Sequence, residues 1–243
     1  VSPTPAFDTT KPLSLRRIMA ISPLGCVGMF LLGGVFSAQF GMAPVYGAEA
    51  GLSVVQISIF VSTFFVGSLV LQYPIGWLSD RMDRRVLICG AAVLMGVGAV
   101  IGIVLGAVFV PLLVTAFVIG GMSNPLYSLL IAYTNDFLEH DDMAAAAGGM
   151  VFINGLGAVT GPLVTGWLMG VIGPRGFFVV IAVLALSIAA YAAYRMTQRA
   201  APAPAQTDSY MAVAPSASPM AVEFAQEVAI ETAQEGEEPG KPD

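Results

Sequence analysis

Six long apolar stretches constrain this chain more than any other feature. They lie near residues 18–46, 53–78, 86–106, 109–138, 143–170 and 176–195. Each reaches the roughly 20 residues that a helix needs to cross a ~30 Å hydrocarbon layer. Lipid offers no partner to a backbone N–H or C=O, so a spanning segment must close its hydrogen bonds internally. Long, continuously apolar runs do this as helices; a closed barrel would show short segments alternating in polarity. Composition agrees: 56% of the 243 residues are hydrophobic and 11% are charged, against about 25% charged in a soluble domain. A water-soluble fold of this length could not hide so much apolar surface. The 27 glycines suit helices that approach closely in a bilayer. The expected fold is all-α and polytopic, with six transmembrane helices. Residues 1–17 form a linker, 18–196 the six-helix bundle and 197–243 a polar tail.

The formal charge of -6 is unevenly distributed. After Arg199 the tail holds eight acidic residues and one base, Lys241; the rest of the chain holds eight acids and nine bases. The membrane part is thus near neutral, and no basic surface for nucleic acid is present. The tail, rich in Ala, Pro, Ser and Glu, reads as disordered and acidic.

Basic residues set the orientation. Lys11, Arg16 and Arg17 precede the first helix; Arg81, Arg84 and Arg85 lie between the second and third; Arg195 and Arg199 follow the sixth. If the six helices cross in order, these eight fall on one side and only Arg175 on the other. The positive-inside rule makes the basic side, and both termini, cytoplasmic, which predicts a multi-pass inner (cytoplasmic) membrane protein. The lipid bilayer is the first partner this implies. The chain opens at Val1 on a polar, proline-containing segment, as the interior of a longer chain would.

The most informative segment is Gly76-Trp77-Leu78-Ser79-Asp80-Arg81-Met82-Asp83-Arg84-Arg85, in the short turn after the second helix. Gly76 lets another helix approach. Asp80 can accept hydrogen bonds from a helix N-terminus or pair with arginine. Such contacts form a latch that breaks and reforms as helix groups move, with Gly76, Asp80, Arg81, Arg84 and Arg85 as its parts. Asp136 falls at the same side and is expected to pair with one of the three arginines. The alternative is that the arginines only anchor topology.

Two helices carry interruptions. In the fourth, Gly120-Gly121-Met122-Ser123-Asn124-Pro125-Leu126-Tyr127 lies near mid-depth, and Pro125 cannot donate to the carbonyl of Gly121. Transporters place substrate sites at such weak points. Asn124 and Tyr127 supply polar groups there, and Gln39 in the first helix and Asn154 in the fifth are candidates to join them. In the fifth, Gly148, Gly157, Gly161 and Pro162 suit close packing and bending. The competing role for all these residues is to tie helices together.

Several chemistries find no support. No Asp, Glu, Lys, Arg or His falls at mid-depth in any of the six stretches, so this chain offers no proton or ion pathway of its own. An intramembrane hydrolase would need His or paired carboxylates there, so no enzyme activity is expected. Cys26 and Cys89 show no metal or disulfide spacing, and neither a metal nor a cofactor is implied.

The loop from Gly76 to Arg85 resembles the signature loop of the major facilitator superfamily, with Asp83 where that family most often has glycine. The Gly148 to Gly166 stretch resembles the glycine-proline motif of its antiporters, with Thr165 replacing a glycine. Gln72-Tyr73-Pro74-Ile75-Gly76 and Asn124-Pro125-Leu126-Tyr127-Ser128 look like that family's eighth and tenth helices, and Lys11 to Arg17 like the end of its central linker. The resemblance covers residues 11–198. It implies the carboxyl-terminal half of a twelve-helix fold from a bacterial small-molecule branch. Its missing partner would be an amino-terminal six-helix half, or a second copy, with a small-molecule substrate between them. The implied function is secondary active transport by alternating access. The alternative is a structural or regulatory membrane subunit whose acidic tail binds a partner.

Overall fold

The computed structural model describes residues 14–138 and 140–198, with the side chains of 140 and 141 excepted. The expected tail from 199 onward, and most of the expected linker, lie outside them, while Thr197 and Gln198 continue the last helix. All regular structure among the described residues is helical. The helices are α1 (Leu15–Ile21), α2 (Pro23–Phe36), a π-helical segment (Ser37–Met42), α3 (Ala43–Glu49), α4 (Val54–Ser79), α5 (Arg84–Leu105), α6 (Phe109–Asn135), α7 (His140–Ile172) and α8 (Arg175–Gln198). Among the described residues, six spans are long and apolar enough to cross a membrane: Pro23–Glu49, Val54–Ser79, Arg84–Leu105, Phe109–Asn135, Asp142–Ile172 and Arg175–Gln198.

The first stretch, read from sequence as one helix near 18–46, is divided. Pro23 has no N–H to continue the ladder of α1, but its fixed φ suits the first position of a new helix. Ser22 caps that helix, accepting from the Gly25 N–H at 3.3 Å, and its hydroxyl meets that of Thr134 at 3.0 Å. Further on, the backbone widens into the six-residue π segment before α3 completes the span.

Chain reversals follow local chemistry. Ser53 and Gln56 form a reciprocal capping box at the start of α4. Gly51 and Gly173 take positive φ, both 76°, in the turns before α4 and α8, where an L side chain would be strained. The two turns share the end of the bundle remote from Arg81, Arg84 and Arg85. There Tyr46 stacks on Phe177 and meets Phe60 and Phe178 edge or tilted, with its hydroxyl on the Gly106 carbonyl at 3.2 Å.

The pairs α2 with α7 and α4 with α6 meet backbone to backbone. A Cβ on Gly33 would strike the Asn154 carbonyl, one on Gly157 the Phe30 carbonyl, and one on Gly161 the Ser37 hydroxyl. In the second seam, a Cβ on Gly67 would strike the Phe117 carbonyl, and one on Gly120 the Phe64 carbonyl. Gly148 differs: a Cβ there meets nothing within 4 Å, so it does not belong to the packing set that the sequence spacing suggested. Its position on α7 turns it away from α2.

Of the six spans, α4 and α7 are the least buried. Leu69 and Tyr73 on α4, and Val159, Leu163 and Trp167 on α7, present wide apolar faces outward.

Gly157→Leu is expected to force α2 and α7 apart and lower stability by at least the ~1–3 kcal/mol of ordinary overpacking. Gly148→Ala is expected to be neutral or to gain up to about 1 kcal/mol of helix propensity. Thermal unfolding in detergent, followed by circular dichroism, compares the two.

Candidate functional site

At the arginine end, α4 stops because Asp80 takes the C-cap position and the chain turns through Arg81 and Met82. Asp83 then caps α5. Its φ of -58° is ordinary, so this turn has no need of glycine. Its Oδ1 accepts from the Arg85 N–H at 2.9 Å, and its two carboxylate oxygens take the Arg85 guanidinium at 2.7–3.2 Å. Burial pushes the Asp83 carboxyl upward, but the hydrogen bonds and charge of Arg85 together outweigh it and hold the pKa below the usual carboxylate value. A depressed pKa means that the cap contributes stability at neutral pH and loses it only as acid protonates Asp83.

Arg84 points the other way, into the bundle. Its guanidinium forms an ion pair with Asp136, the two side chains 3% and 2% exposed. The same nitrogen donates to the Ala132 carbonyl at 3.2 Å, and Nε reaches the Ser79 hydroxyl at 3.4 Å. Ala132 and Asp136 lie at the C-terminal end of α6, where the Ala132 carbonyl also accepts from the Asp136 N–H at 3.1 Å and where a cation is favoured. One side chain thus fastens the ends of α4, α5 and α6. Of the three arginines considered for Asp136, the structure brings Arg84 to it.

Of the remaining loop residues, Asp80 and Arg81 stay at the surface and Gly76 does not. Gly76 is buried in the last turns of α4. Asp80 is exposed. Arg81 folds back on its own helix, donating to the Trp77 carbonyl at 3.0 Å with its guanidinium 4.1 Å from the Trp77 ring centre. The loop therefore divides into a buried brace (Arg84, Arg85, Asp83, Asp136, Ser79) and an outward edge (Asp80, Arg81). A second tie at this end, Arg17 to Asp142 at 3.1 Å, joins α1 to the start of α7.

At mid-depth, the four candidate cavity residues do not form one cluster. Gln39, on the π segment, accepts from the Ser123 hydroxyl at 2.9 Å. Asn124 follows Ser123 on α6 and is 9% exposed. Tyr127 is buried with its ring 5.9 Å from that of Phe36. Asn154 stands apart: its Nδ2 donates to the Met29 carbonyl at 3.0 Å. Met29 lies ten residues before Gln39, roughly 15 Å along the helix. Asn154 ties α7 to α2 instead. Pro125 and Pro162 both sit inside their helices, α6 and α7. Ser123 was not singled out by sequence, because a lone serine in an apolar run carries no spacing signal. Neither was the π segment.

These features define a polytopic helical membrane bundle with a charged loop brace at one end and a polar, interrupted zone at mid-depth. A family model described as Major Facilitator Superfamily matches residues 25–228. The uncharacterized MFS-type transporter YfkF of Bacillus subtilis (strain 168) is 31% identical over 173 residues, covering 68% of this chain and 43% of that protein. The uncharacterized MFS-type transporter YcaD of Escherichia coli O7:K1 (strain IAI39 / ExPEC) is 26% identical over 177 residues, covering 73% and 44%. Two solved structures share the fold at 14% identity. An auto-inhibited POT family peptide transporter has TM-score 0.61, over 81% of this chain and 39% of that one. The POT family transporter PepTSo has TM-score 0.63, over 85% and 40%. The chain belongs to the Major Facilitator Superfamily. It spans under half the length of the curated relatives it matches.

Asp136→Ala leaves the Arg84 guanidinium buried without its counter-charge and is expected to cost about 3–5 kcal/mol. Asp80→Asn, at an exposed position, is expected to stay within about 0.5 kcal/mol of the unaltered chain. Thermal melts of the two variants side by side check the division.

Proposed function

We propose that this chain is the carboxyl-terminal half of a secondary active transporter. It moves a small molecule by alternating access against an amino-terminal six-helix half or a second copy. It sits in the inner (cytoplasmic) membrane with both termini cytoplasmic, and it catalyses no covalent chemistry. The observation that carries this reading is the divided loop. Arg84 and Asp136 form a rigid buried footing, and Asp80 and Arg81 stand exposed on it at the tip of α4. A latch needs this combination: a contact surface that breaks and reforms, on a base that does not move with it. The outward apolar faces of α4 and α7 support the reading too, since they offer surface for a partner half as well as for lipid. The two curated relatives, both called MFS-type transporters, support the class of activity.

In this scheme Gly76 gives the tip of α4 close approach, and Asp80 and Arg81 make the contact. Arg84, Arg85 and Asp136 hold the loop in shape. Gln39, Asn124 and Tyr127 face the substrate path from the π segment and α6. Pro125 and Pro162 supply bending points, and Gly157 and Gly161 a close seam on which α2 and α7 shift. Asn154 belongs to that seam.

Asp80→Asn is the decisive variant. In the reconstituted transporter, the loss of a charge-assisted contact of ~1.5–3 kcal/mol should slow flux roughly tenfold or more, with insertion and melting temperature unchanged. Flux equal to that of the unaltered protein would remove the latch role. Asn124→Ala should raise the substrate KM about tenfold through one lost hydrogen bond of ~1.4 kcal/mol. An unchanged KM would assign Asn124 to packing.

A further inference from the structure

Gln39 is a side chain that the chain's own contacts leave incomplete. It lies near the middle of the span Pro23–Glu49 and is 0% exposed. Its Oε1 accepts from Ser123, while Nε2 is buried and meets no acceptor among the described residues. Turning the carboxamide over does not remove the deficit. Ser123 would then accept from Nε2 and donate to the Gly120 carbonyl at 3.2 Å, leaving Oε1 over. One end of the amide is committed and the other is spare. A buried polar group without a partner is costly in a low-dielectric site, so its persistence calls for a use.

The surroundings indicate what would meet the spare end. Phe36 lies 5.9 Å from Tyr127 and 5.8 Å from Phe40, and Phe40 lies 5.0 Å from Phe65, ring centre to ring centre. These rings make a continuous aromatic wall across α2, the π segment, α4 and α6. Asn124, one residue beyond Ser123, shows no side-chain hydrogen bond among the described residues. No Asp, Glu, Lys, Arg or His lies at mid-depth in the six spans. A charged ligand would leave water for a wall that returns no counter-charge. The π segment itself is a point of easy rearrangement. Its turns are wider than those of an α-helix, and a Cβ on its Gly41 would meet nothing within 4 Å.

We propose that Gln39 is the side chain with which this half recognises its substrate. The part of the substrate that meets this half is uncharged and largely apolar and carries a carbonyl, amide or hydroxyl group. The inference rests on the transport reading above and adds the substrate class and the residue that selects it.

Gln39→Met keeps the length and removes both polar ends. Ser123 falls back on Gly120, and no spare end remains buried. The melting temperature of the full chain in lipid nanodiscs, followed by circular dichroism, is therefore expected to hold or rise. A fall of several degrees would show that the amide is structurally satisfied and would overturn the proposal. Binding is read by thermal shift with benzamide, and with benzoate and benzylammonium as ions of like size. Benzamide is expected to raise the melting temperature and the ions are not, with about tenfold weaker benzamide binding to Gln39→Met. Equal shifts from the ions, no shift from benzamide, or a benzamide shift that survives in Gln39→Met would each overturn it. Any of these beside impaired flux in Asp80→Asn would sink the substrate class and leave the transport reading standing.

Discussion

Inside hydrocarbon, two helices gain nothing by hiding leucines from each other, because lipid tails are equally apolar. What remains is close contact, and close contact depends on residues without side chains. Gly33, Gly157 and Gly161 bring α2 against α7; Gly67 and Gly120 bring α4 against α6. In each seam a carbonyl of one helix lies where the glycine of the other would carry its Cβ. The seams decide where everything else falls. The α2–α7 seam sets the height at which Asn154 reaches the Met29 carbonyl, and the α4–α6 seam carries the aromatic wall up to Ser123.

Charge is handled differently at the end of the bundle. Arg84 and Asp136 are nearly as buried as the core, and a buried ion pair contributes little net stability once desolvation is counted. Its value is geometric. The Arg84 guanidinium also donates to the Ala132 carbonyl on α6 and the Ser79 hydroxyl on α4, so α5 cannot move against α4 or α6 without breaking bonds to it. Asp83 does the same over a shorter range, capping α5 while clasping Arg85. The loop is thereby stiff where it meets the bundle and solvent-exposed at Asp80.

The sequence made the membrane fold legible for one reason: solvent alone dictates that long apolar runs be helices. The same argument is silent about register within a run. Hence Ser22 breaks what reads as one helix near 18–46, and the π segment leaves no trace in composition, since Ser37 to Met42 contains nothing unusual for a span. The loop was legible as a group of residues because Asp and Arg are rare in such a chain. Its division into buried and exposed parts was not, because that depends on where the last turn of α6 lies. Asn154 read as a cavity residue because polarity at mid-depth has two meanings, a site or a tie between helices. Only the Met29 carbonyl decides for the tie. Gly148 illustrates the converse: spacing along a helix cannot tell which face a glycine presents.

The distribution of stiffness is itself informative. The ends of the bundle are fastened, by Arg84 and Asp136 on one side and by the Tyr46, Phe177 and Phe178 cluster on the other. The middle is not. Pro125 interrupts the α6 ladder, Pro162 that of α7, and the π segment lies at the corresponding depth of the first span. Bending concentrates where backbone hydrogen bonds are missing or distorted, so bending of this bundle falls on its central layer while its ends stay intact. Gln39 and Asn124 lie in that layer. A polar group on a compliant segment changes its surroundings for a small backbone displacement, whereas the same group in a fastened turn would be locked to one partner. The incomplete bonding of Gln39 and the softness of its backbone are thus two consequences of one placement.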